Sequence, residues 1–123
     1  MHTLVSIVAV GAGGAVGAVA RYGVAELIRV ATSWPWYVAT MLANVVGCFG
    51  IGIAFVRLEE GARPDWVKAL LVTGLLGAFT TFSTFSLDAM HLIDDRRYAE
   101  LAIYLTASVA AGLAAVKLGM TLA

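Results

Sequence analysis

The chain has 123 residues, of which 61% are hydrophobic and 13% are charged. Because a soluble domain carries about 25% charged residues, this composition excludes an ordinary soluble domain and indicates a membrane protein. The net charge of zero argues against nucleic acid as a partner, and the length favours a single domain over residues 1–123.

Four apolar stretches follow one another along the chain, with short polar connections between them. Each stretch holds the ~20 residues that a helix needs to cross a hydrocarbon core of about 30 Å. The sequence therefore predicts an all-α membrane protein whose helices span the lipid bilayer four times. The predicted spans cover residues 4–28, 36–56, 66–93 and 98–122.

The first span contains a close-packing motif and two internal charges. Gly13 and Gly17 form a GxxxG pattern, which lets helices approach closely in lipid. Ionisable groups inside spans often mark function, but Arg21 and Glu26 lie toward the second end of the span. A role for Arg21 in lining a gate therefore competes with simple snorkelling of its side chain to the surface.

The second span carries small residues on one face and an amide near its middle. Ala43, Gly47, Gly50 and Ala54 recur at spacings of four, three and four, a face suited to tight helix packing. Asn44 requires hydrogen-bond partners at this depth, because an unpaired buried amide is costly. Two interpretations stay open: a hydrogen bond between helices, or a donor that faces a pore.

The third span contains an unusual stretch, GLLGAFTTFSTFS, at residues 74–86. Gly74 and Gly77 weaken the helix, and four hydroxyl side chains offer other bonds to the freed backbone. Non-helical backbone at membrane depth is tolerated only where it is buried in protein or lines a wet cavity. We therefore predict that this helix breaks near residues 76–82. The hydroxyl residues are Thr80, Thr81, Ser83 and Thr84.

Phenylalanines recur every three residues through this stretch, at Phe79, Phe82 and Phe85. The edge of an aromatic ring is electropositive, so ring edges beside neutral hydroxyl and amide donors suit a small anion that accepts strong hydrogen bonds. The alternative is an ordinary aromatic core. Asp88, later in the span, is expected to cap the helix or to face water.

The fourth span places Tyr104 and Ser108 four residues apart and hence on one face. Their hydroxyls offer further hydrogen-bond donors, although Ser108 can instead bond to its own helix. A catalytic nucleophile, base and orienting acid are not evident, so the sequence indicates a protein that is not an enzyme.

Positive charges are evenly divided between the two sides of the predicted bundle. The positive-inside rule needs an imbalance to set an orientation, and four Lys or Arg residues lie on each side. Either the topology is weakly determined, or copies insert in both orientations. One side carries Arg57, Arg63, Lys68 and Lys117; the other carries Arg21, Arg29, Arg96 and Arg97.

Three motifs together resemble those of one known family. TGLLGAFTTFSTFSLD (73–88) resembles the third-helix motif of the Fluc, or CrcB, fluoride channels. GGAVGAVARY (13–22) and ANVVGCFGIG (43–52) are similar to the first- and second-helix motifs of that family. The resemblance extends over all four spans in order, although the fourth matches only loosely.

The resemblance implies an antiparallel, dual-topology homodimer in the plasma or inner membrane of a prokaryote. Such a dimer exports cytoplasmic fluoride by passive electrodiffusion and holds a structural sodium ion at the interface of its subunits. The resemblance implies sodium binding by the backbone carbonyls of Gly77 and Thr80. The implied fluoride-pore residues are Asn44, Phe82, Phe85, Ser83, Thr84, Tyr104, Ser108 and, near the pore mouth, Arg21. Ala78 departs from the pattern, because many members have a second glycine there.

Two rival functions come from other classes of membrane protein. A small proton-coupled drug exporter would want a carboxylate in the middle of the first span, and residues 9–20 contain none. A purely structural membrane protein would explain the small-residue faces. It would leave the hydroxyl and phenylalanine cluster without a purpose.

Overall fold

The computed structural model describes residues 1–123, and all of its regular structure is helical. The elements, in chain order, are α1 (His2–Ala31), α2 (Tyr37–Glu60), α3 (Asp65–Lys68), the π-helix π1 (Ala69–Leu76), α4 (Gly77–Phe79), α5 (Phe82–Asp94) and α6 (Tyr98–Leu122). The third span covers Asp65–Asp94 and contains, in succession, α3, π1, α4 and α5.

The four predicted spans correspond to four helices that are long and apolar enough to cross a membrane. The first three helices end beyond the predicted apolar stretches, whereas the fourth, Tyr98–Leu122, has the predicted bounds. The first, for example, runs over His2–Ala31, whereas the sequence predicted residues 4–28. The difference has a simple cause, because helical hydrogen bonding continues into the polar surface layer of a bilayer after the apolar residues end.

Two helix pairs make up the bundle: α1 packs along the first half of the third span, and α2 packs along α6. Glycine allows both contacts. A Cβ atom on Gly13 or Gly17 would collide with a backbone carbonyl of the third span. A Cβ on Gly52 would likewise collide with the carbonyl of Val116 on α6. The GxxxG of the first span is therefore a packing surface against the third.

The turn between α5 and α6 is short and held by backbone hydrogen bonds. Arg96 has a φ of 57°, the left-handed conformation that often follows the end of a helix. The Arg97 amide then donates to the Leu92 carbonyl at 2.9 Å, and the Arg96 amide donates to the Ile93 carbonyl at 2.9 Å. This closure fixes where Arg97 and the start of α6 lie.

The single chain buries few of its side chains. Only 18 of 123 residues are buried, so most of the apolar surface faces lipid or another protein chain. Phe82, on the third span, is 80% exposed. A bundle this thin has no enclosed interior of its own, and any route for a solute lies along its surface.

Candidate functional site

Helical geometry is lost at two consecutive residues in the third span. Thr80 has φ −84° and ψ 156°, and Thr81 has φ −151° and ψ 121°, both extended conformations between α4 and α5. The Thr81 hydroxyl then accepts a hydrogen bond from the Thr84 amide at 3.1 Å. This is the usual N-cap of a new helix, so α5 begins as a separate helix. We call residues 80–81 the break.

Asn44 of α2 pairs with the break through both ends of its amide. The Thr81 backbone N–H donates to Asn44 Oδ1 at 2.7 Å, and Asn44 Nδ2 donates to the Thr81 carbonyl at 3.1 Å. The side chain thus replaces hydrogen bonds that the interrupted helix cannot make for itself. One N–H of the Asn44 amide remains without a protein partner, since the NH₂ group has two donors.

Two carbonyls next to the break lose their helical donors. In a continuous helix the Thr81 amide would donate to Gly77, but it donates to Asn44. The Thr84 amide would donate to Thr80, but it donates to the Thr81 hydroxyl. No backbone or side-chain donor is bonded to the Thr80 carbonyl. Carbonyls freed in this way are suitable ligands for a cation, and these are the two that the family resemblance implies.

Arg21 also contacts the broken segment. Its Nε donates to the carbonyl of Ala78 at 3.2 Å. The guanidinium therefore satisfies one of the last carbonyls of α4, where a positive charge also complements the helix end. Arg21 therefore bonds to the backbone next to the break. Glu26 and Arg29 lie further along α1 and pair with each other at 2.7 Å.

A surface groove of about 370 Å³ lies beside the break. We call it the central groove. It brings together four of the predicted pore residues and both of the predicted carbonyl positions, although they come from three different spans. These residues are Asn44, Phe82, Phe85, Ser108, Gly77 and Thr80.

The two phenylalanines that follow the break share the groove, whereas Phe79 does not. The ring centroids of Phe82 and Phe85 are 5.9 Å apart, with an angle of 39° between the ring planes. Phe79 precedes the break and lies against the glycines of α1 and α2, next to Gly17 and Gly47. The regular spacing of three in the sequence therefore does not produce one continuous aromatic stripe, because the chain changes direction after Phe79.

Ser108 presents a hydroxyl that the protein leaves unpaired. Its Oγ is buried and has no hydrogen-bond partner, and the residue lines the central groove. The sequence left open a bond from Ser108 back to its own helix, and no such bond is present. A buried hydroxyl without a partner is costly, which makes it a candidate donor to a bound species.

Tyr104 is placed differently from Ser108, although both lie on α6. Its side chain is 1% exposed and does not line the central groove. Its hydroxyl donates to Asp88 Oδ2 at 3.0 Å. Asp88 is itself buried, at 6% exposure, so the expectation that it caps a helix or faces water was wrong. The reason is that Asp88 lies on the face of α5 that packs against α6, where Tyr104 supplies a donor.

Ser83 and Thr84 support the break and do not line the groove. The Ser83 hydroxyl lies 3.3 Å from the Thr81 hydroxyl, and the Thr84 contribution is its backbone amide. The family resemblance implied pore roles for both residues. A sequence motif identifies a hydroxyl side chain but not the direction in which that side chain points.

Comparison with known proteins identifies the family. The family described as "CrcB-like protein, Camphor Resistance (CrcB)" matches residues 8–120. The chain belongs to the CrcB family. A relative from Caulobacter sp. (strain K31), named fluoride-specific ion channel FluC, is 39% identical over 98% of this chain and 95% of its own length.

Two further CrcB relatives carry the same name. The fluoride-specific ion channel FluC of Rhizobium meliloti (strain 1021) is 42% identical over 94% of this chain and 94% of its own length. That of Prosthecochloris aestuarii (strain DSM 271 / SK 413) is 42% identical over 96% of this chain and 92% of its own length. The family resemblance seen in the motifs is thereby confirmed. The named relatives are ion channels, which agrees with the prediction that this chain is not an enzyme.

Proposed function

We propose that this chain forms a fluoride-selective channel that exports fluoride by passive electrodiffusion. The observation that carries the proposal is the central groove, in which unpaired neutral donors and aromatic rings meet beside the break. Ser108 Oγ has no partner, and Asn44 keeps one free N–H after it has bonded to Thr81. The relatives named as fluoride channels make fluoride the ion to consider first.

The chemistry of the groove suits fluoride in particular. Fluoride is small and strongly hydrated, so a pore must replace its water with strong hydrogen-bond donors. An amide N–H and a hydroxyl supply such donors, and the edges of the Phe82 and Phe85 rings add a weaker attraction. No Lys or Arg side chain lines the groove, so an ion that enters it is not trapped by a fixed charge.

The working unit is proposed to be an antiparallel dimer of two copies. The even division of positive charge gives neither orientation an advantage in membrane insertion. The exposure of Phe82, at 80%, supports a second copy over the groove. In such a dimer the two copies are related by symmetry, so each groove is completed by the same residues of the partner.

A sodium ion is proposed to join the two copies at the break. Gly77 and Thr80 offer carbonyls that have lost their helical donors. A two-fold axis through this point would bring together two carbonyls from each copy, four in all. Carbonyl oxygens are hard ligands of the kind that bind such cations at broken membrane helices. The residues present therefore fit a structural sodium ion.

Export needs no energy source beyond the membrane potential. Fluoride enters a cell as the neutral acid and ionises inside, and a negative interior then drives the anion outward by about 2.3 kcal/mol per 100 mV. A passive channel in the plasma or inner membrane of a prokaryote would therefore keep cytoplasmic fluoride low.

The proposal is tested by fluoride efflux from liposomes that contain the purified protein and potassium fluoride. Efflux is followed with a fluoride electrode, and valinomycin is added to let potassium balance the charge. The expected result is rapid fluoride release that requires valinomycin and does not require a proton ionophore, with chloride retained in matched liposomes. Release that needs a proton gradient would contradict passive electrodiffusion, and an absence of fluoride release would contradict the channel itself.

A further inference from the structure

A hydrogen-bonded network closes the end of the bundle where α2 and α6 begin. The Tyr37 hydroxyl donates to Glu100 Oε2 at 2.6 Å. Arg97 holds the same carboxylate from the other side, through Nε at 2.9 Å and Nη2 at 2.6 Å. The hydrogen bonds that Arg97 donates to Glu100 raise the pKa of the guanidinium, so Arg97 stays charged. We call these three residues the end network.

The end network is more rigid than an ordinary surface ion pair. Exposed pairs contribute little, because two flexible side chains must be ordered. Arg97, however, contacts Glu100 with two nitrogens, the bidentate arrangement that fixes geometry best. The backbone of Arg97 is held by a hydrogen bond from its N–H to the Leu92 carbonyl at 2.9 Å. The Tyr37 hydroxyl therefore bonds to an acceptor that has little freedom to move.

A chain of aromatic contacts connects the end network to the central groove. The Tyr37 ring lies against Tyr104, with centroids 5.0 Å apart. Tyr104 in turn lies against Phe85 at 5.1 Å, and Phe85 against Phe82 at 5.9 Å. Tyr104 is held between Tyr37 on one side and Phe85 on the other, while its hydroxyl bonds to Asp88.

The orientation of the Phe85 ring determines how the ring interacts with an anion in the groove. The edge of an aromatic ring attracts an anion, and its face repels one. A rotation that exchanged edge for face would therefore reverse the sign of the interaction with an ion in the groove. The Tyr104 ring limits such a rotation, because the two rings meet at an angle of 49° in van der Waals contact.

We infer that the end network positions Tyr104, and through it the Phe85 ring edge, for fluoride conduction. This inference rests on the proposed fluoride function. Tyr37, Glu100 and Arg97 are positioning residues, because none of them lines the central groove. The turn between α5 and α6 thereby contributes to the conduction site although it lies outside the membrane spans.

The test compares two removals of the Tyr37–Glu100 bond with two matched controls. Tyr37→Phe keeps the ring and loses the hydroxyl, and Glu100→Ala loses the acceptor. Each is expected to lower the fluoride efflux rate by about tenfold, the effect of losing one charge-assisted hydrogen bond. Glu100→Gln keeps one oxygen that can accept from Tyr37 and from Arg97 Nη2, as Oε2 does, and loses only the bond from Arg97 Nε, so it should retain more of the rate than Glu100→Ala. Tyr98→Phe, at an exposed tyrosine of α6, the helix that carries Glu100, should leave the rate unchanged.

A spectroscopic measurement separates positioning from a general loss of stability. In protein labelled with 3-fluorotyrosine, the fluorine resonance of Tyr104 is assigned by its disappearance in Tyr104→Phe. We expect this resonance to shift in Tyr37→Phe and in Glu100→Ala, and to stay in place in Tyr98→Phe.

Three outcomes would overturn the inference: an unshifted Tyr104 resonance, an unchanged efflux rate in Tyr37→Phe, or a rate that falls equally in Glu100→Gln and Glu100→Ala. A parent protein that releases no fluoride would instead overturn the proposed function. The fluorine resonance would still report whether the end network positions Tyr104, so the two failures are distinguishable.

Discussion

Asn44 supplies two hydrogen bonds that the third span loses where Thr81 leaves helical geometry. Its amide is both donor and acceptor, and the Thr81 backbone needs one of each. A hydroxyl has its donor and acceptor on one atom, whereas the amide carries them on two, so Asn44 can bond the Thr81 N–H and carbonyl together. The sequence left open whether Asn44 bonds between helices or faces a pore. In the structure Asn44 bonds between helices, to Thr81, and it also lines the central groove.

Asn44→Asp is expected to weaken both the fold and transport. The change keeps the acceptor for the Thr81 amide but removes the donor to the Thr81 carbonyl, and it brings a negative charge to the groove. The expected loss is about 1–3 kcal/mol of unfolding free energy, with fluoride efflux strongly reduced. Denaturation in detergent and liposome efflux measure the two effects. Cys48→Ala, one turn away on the same groove, is the control, and an Asn44→Asp channel that matches it would contradict this role.

Ser108→Ala separates function from stability more cleanly. The Ser108 hydroxyl is buried and makes no hydrogen bond within the chain, so its removal should leave the unfolding free energy unchanged or raise it by up to about 1 kcal/mol. Fluoride efflux should nevertheless fall, because a donor to the ion is lost. Thermal unfolding and efflux are measured on the same preparation. Full efflux in Ser108→Ala would show that the hydroxyl does not contact the ion.

Residue types were predictable at this site, whereas pairings between helices were not. The sequence indicated Asn44, Phe82 and Phe85 by their chemistry within apolar stretches, and the structure brings them into one groove. It did not indicate that Tyr104 bonds to Asp88, because that pairing depends on how α5 and α6 are rotated about their axes. Amino-acid spacing within one helix carries no information about the rotation of another.

At the scale of elements, the third span combines three kinds of backbone. Glycines and hydroxyls predicted a loss of helix near residues 76–82, and extended dihedral angles occur at Thr80 and Thr81. The π-helical turns over Ala69–Leu76 were not predicted. Such turns are frequent near functional sites, but the sequence ALLVTGLL contains no local signal for them. They lie where the span packs against α1.

The packing of α1 on the third span gives a prediction at this scale. A Cβ on Gly13 would collide with the Leu70 carbonyl, whereas a Cβ on Gly11 would meet nothing within 4 Å. Gly13→Ala should therefore lower the unfolding free energy by about 1–3 kcal/mol through overpacking. Gly11→Ala should be neutral or slightly stabilising, since alanine favours helix.

Thermal unfolding of the purified protein in detergent compares the two variants directly. Both substitutions add one methyl group to the same helix, so differences in helix propensity cancel. Equal melting temperatures for Gly13→Ala and Gly11→Ala would mean that α1 and the third span do not pack as closely as the structure describes.

At the scale of the whole molecule, the single chain buries little of its surface. Its four spans were predictable because hydropathy over ~20 residues is a strong signal, and the structure has four such helices. Assembly is less visible in the sequence, where only the even division of eight positive charges bears on it. The low burial of the chain, with 18 of 123 residues buried, is a consequence of tertiary geometry and supports a second copy.

Removal of sodium tests how two copies are held together. If the carbonyls of Gly77 and Thr80 bind a shared sodium ion, replacing sodium by N-methyl-D-glucamine should lower the thermal stability of the dimer, because a ligand stabilises only the state that binds it. Thr80→Ser retains the backbone carbonyl and should show the same dependence on sodium. Dimer stability that is unaffected by the exchange would contradict a structural sodium ion.

The central claim is that fluoride passes through the central groove beside the break, and Phe82 tests it most directly. Phe82 is 80% exposed in the single chain, so Phe82→Ile has little effect on the fold of that chain. Phe55→Ile makes the same change at an exposed phenylalanine outside the groove. Fluoride efflux from liposomes should fall by about tenfold or more in Phe82→Ile, if a ring edge that contacts the ion is lost, and should stay at the parent rate in Phe55→Ile. Equal efflux from the parent and both variants would contradict the account.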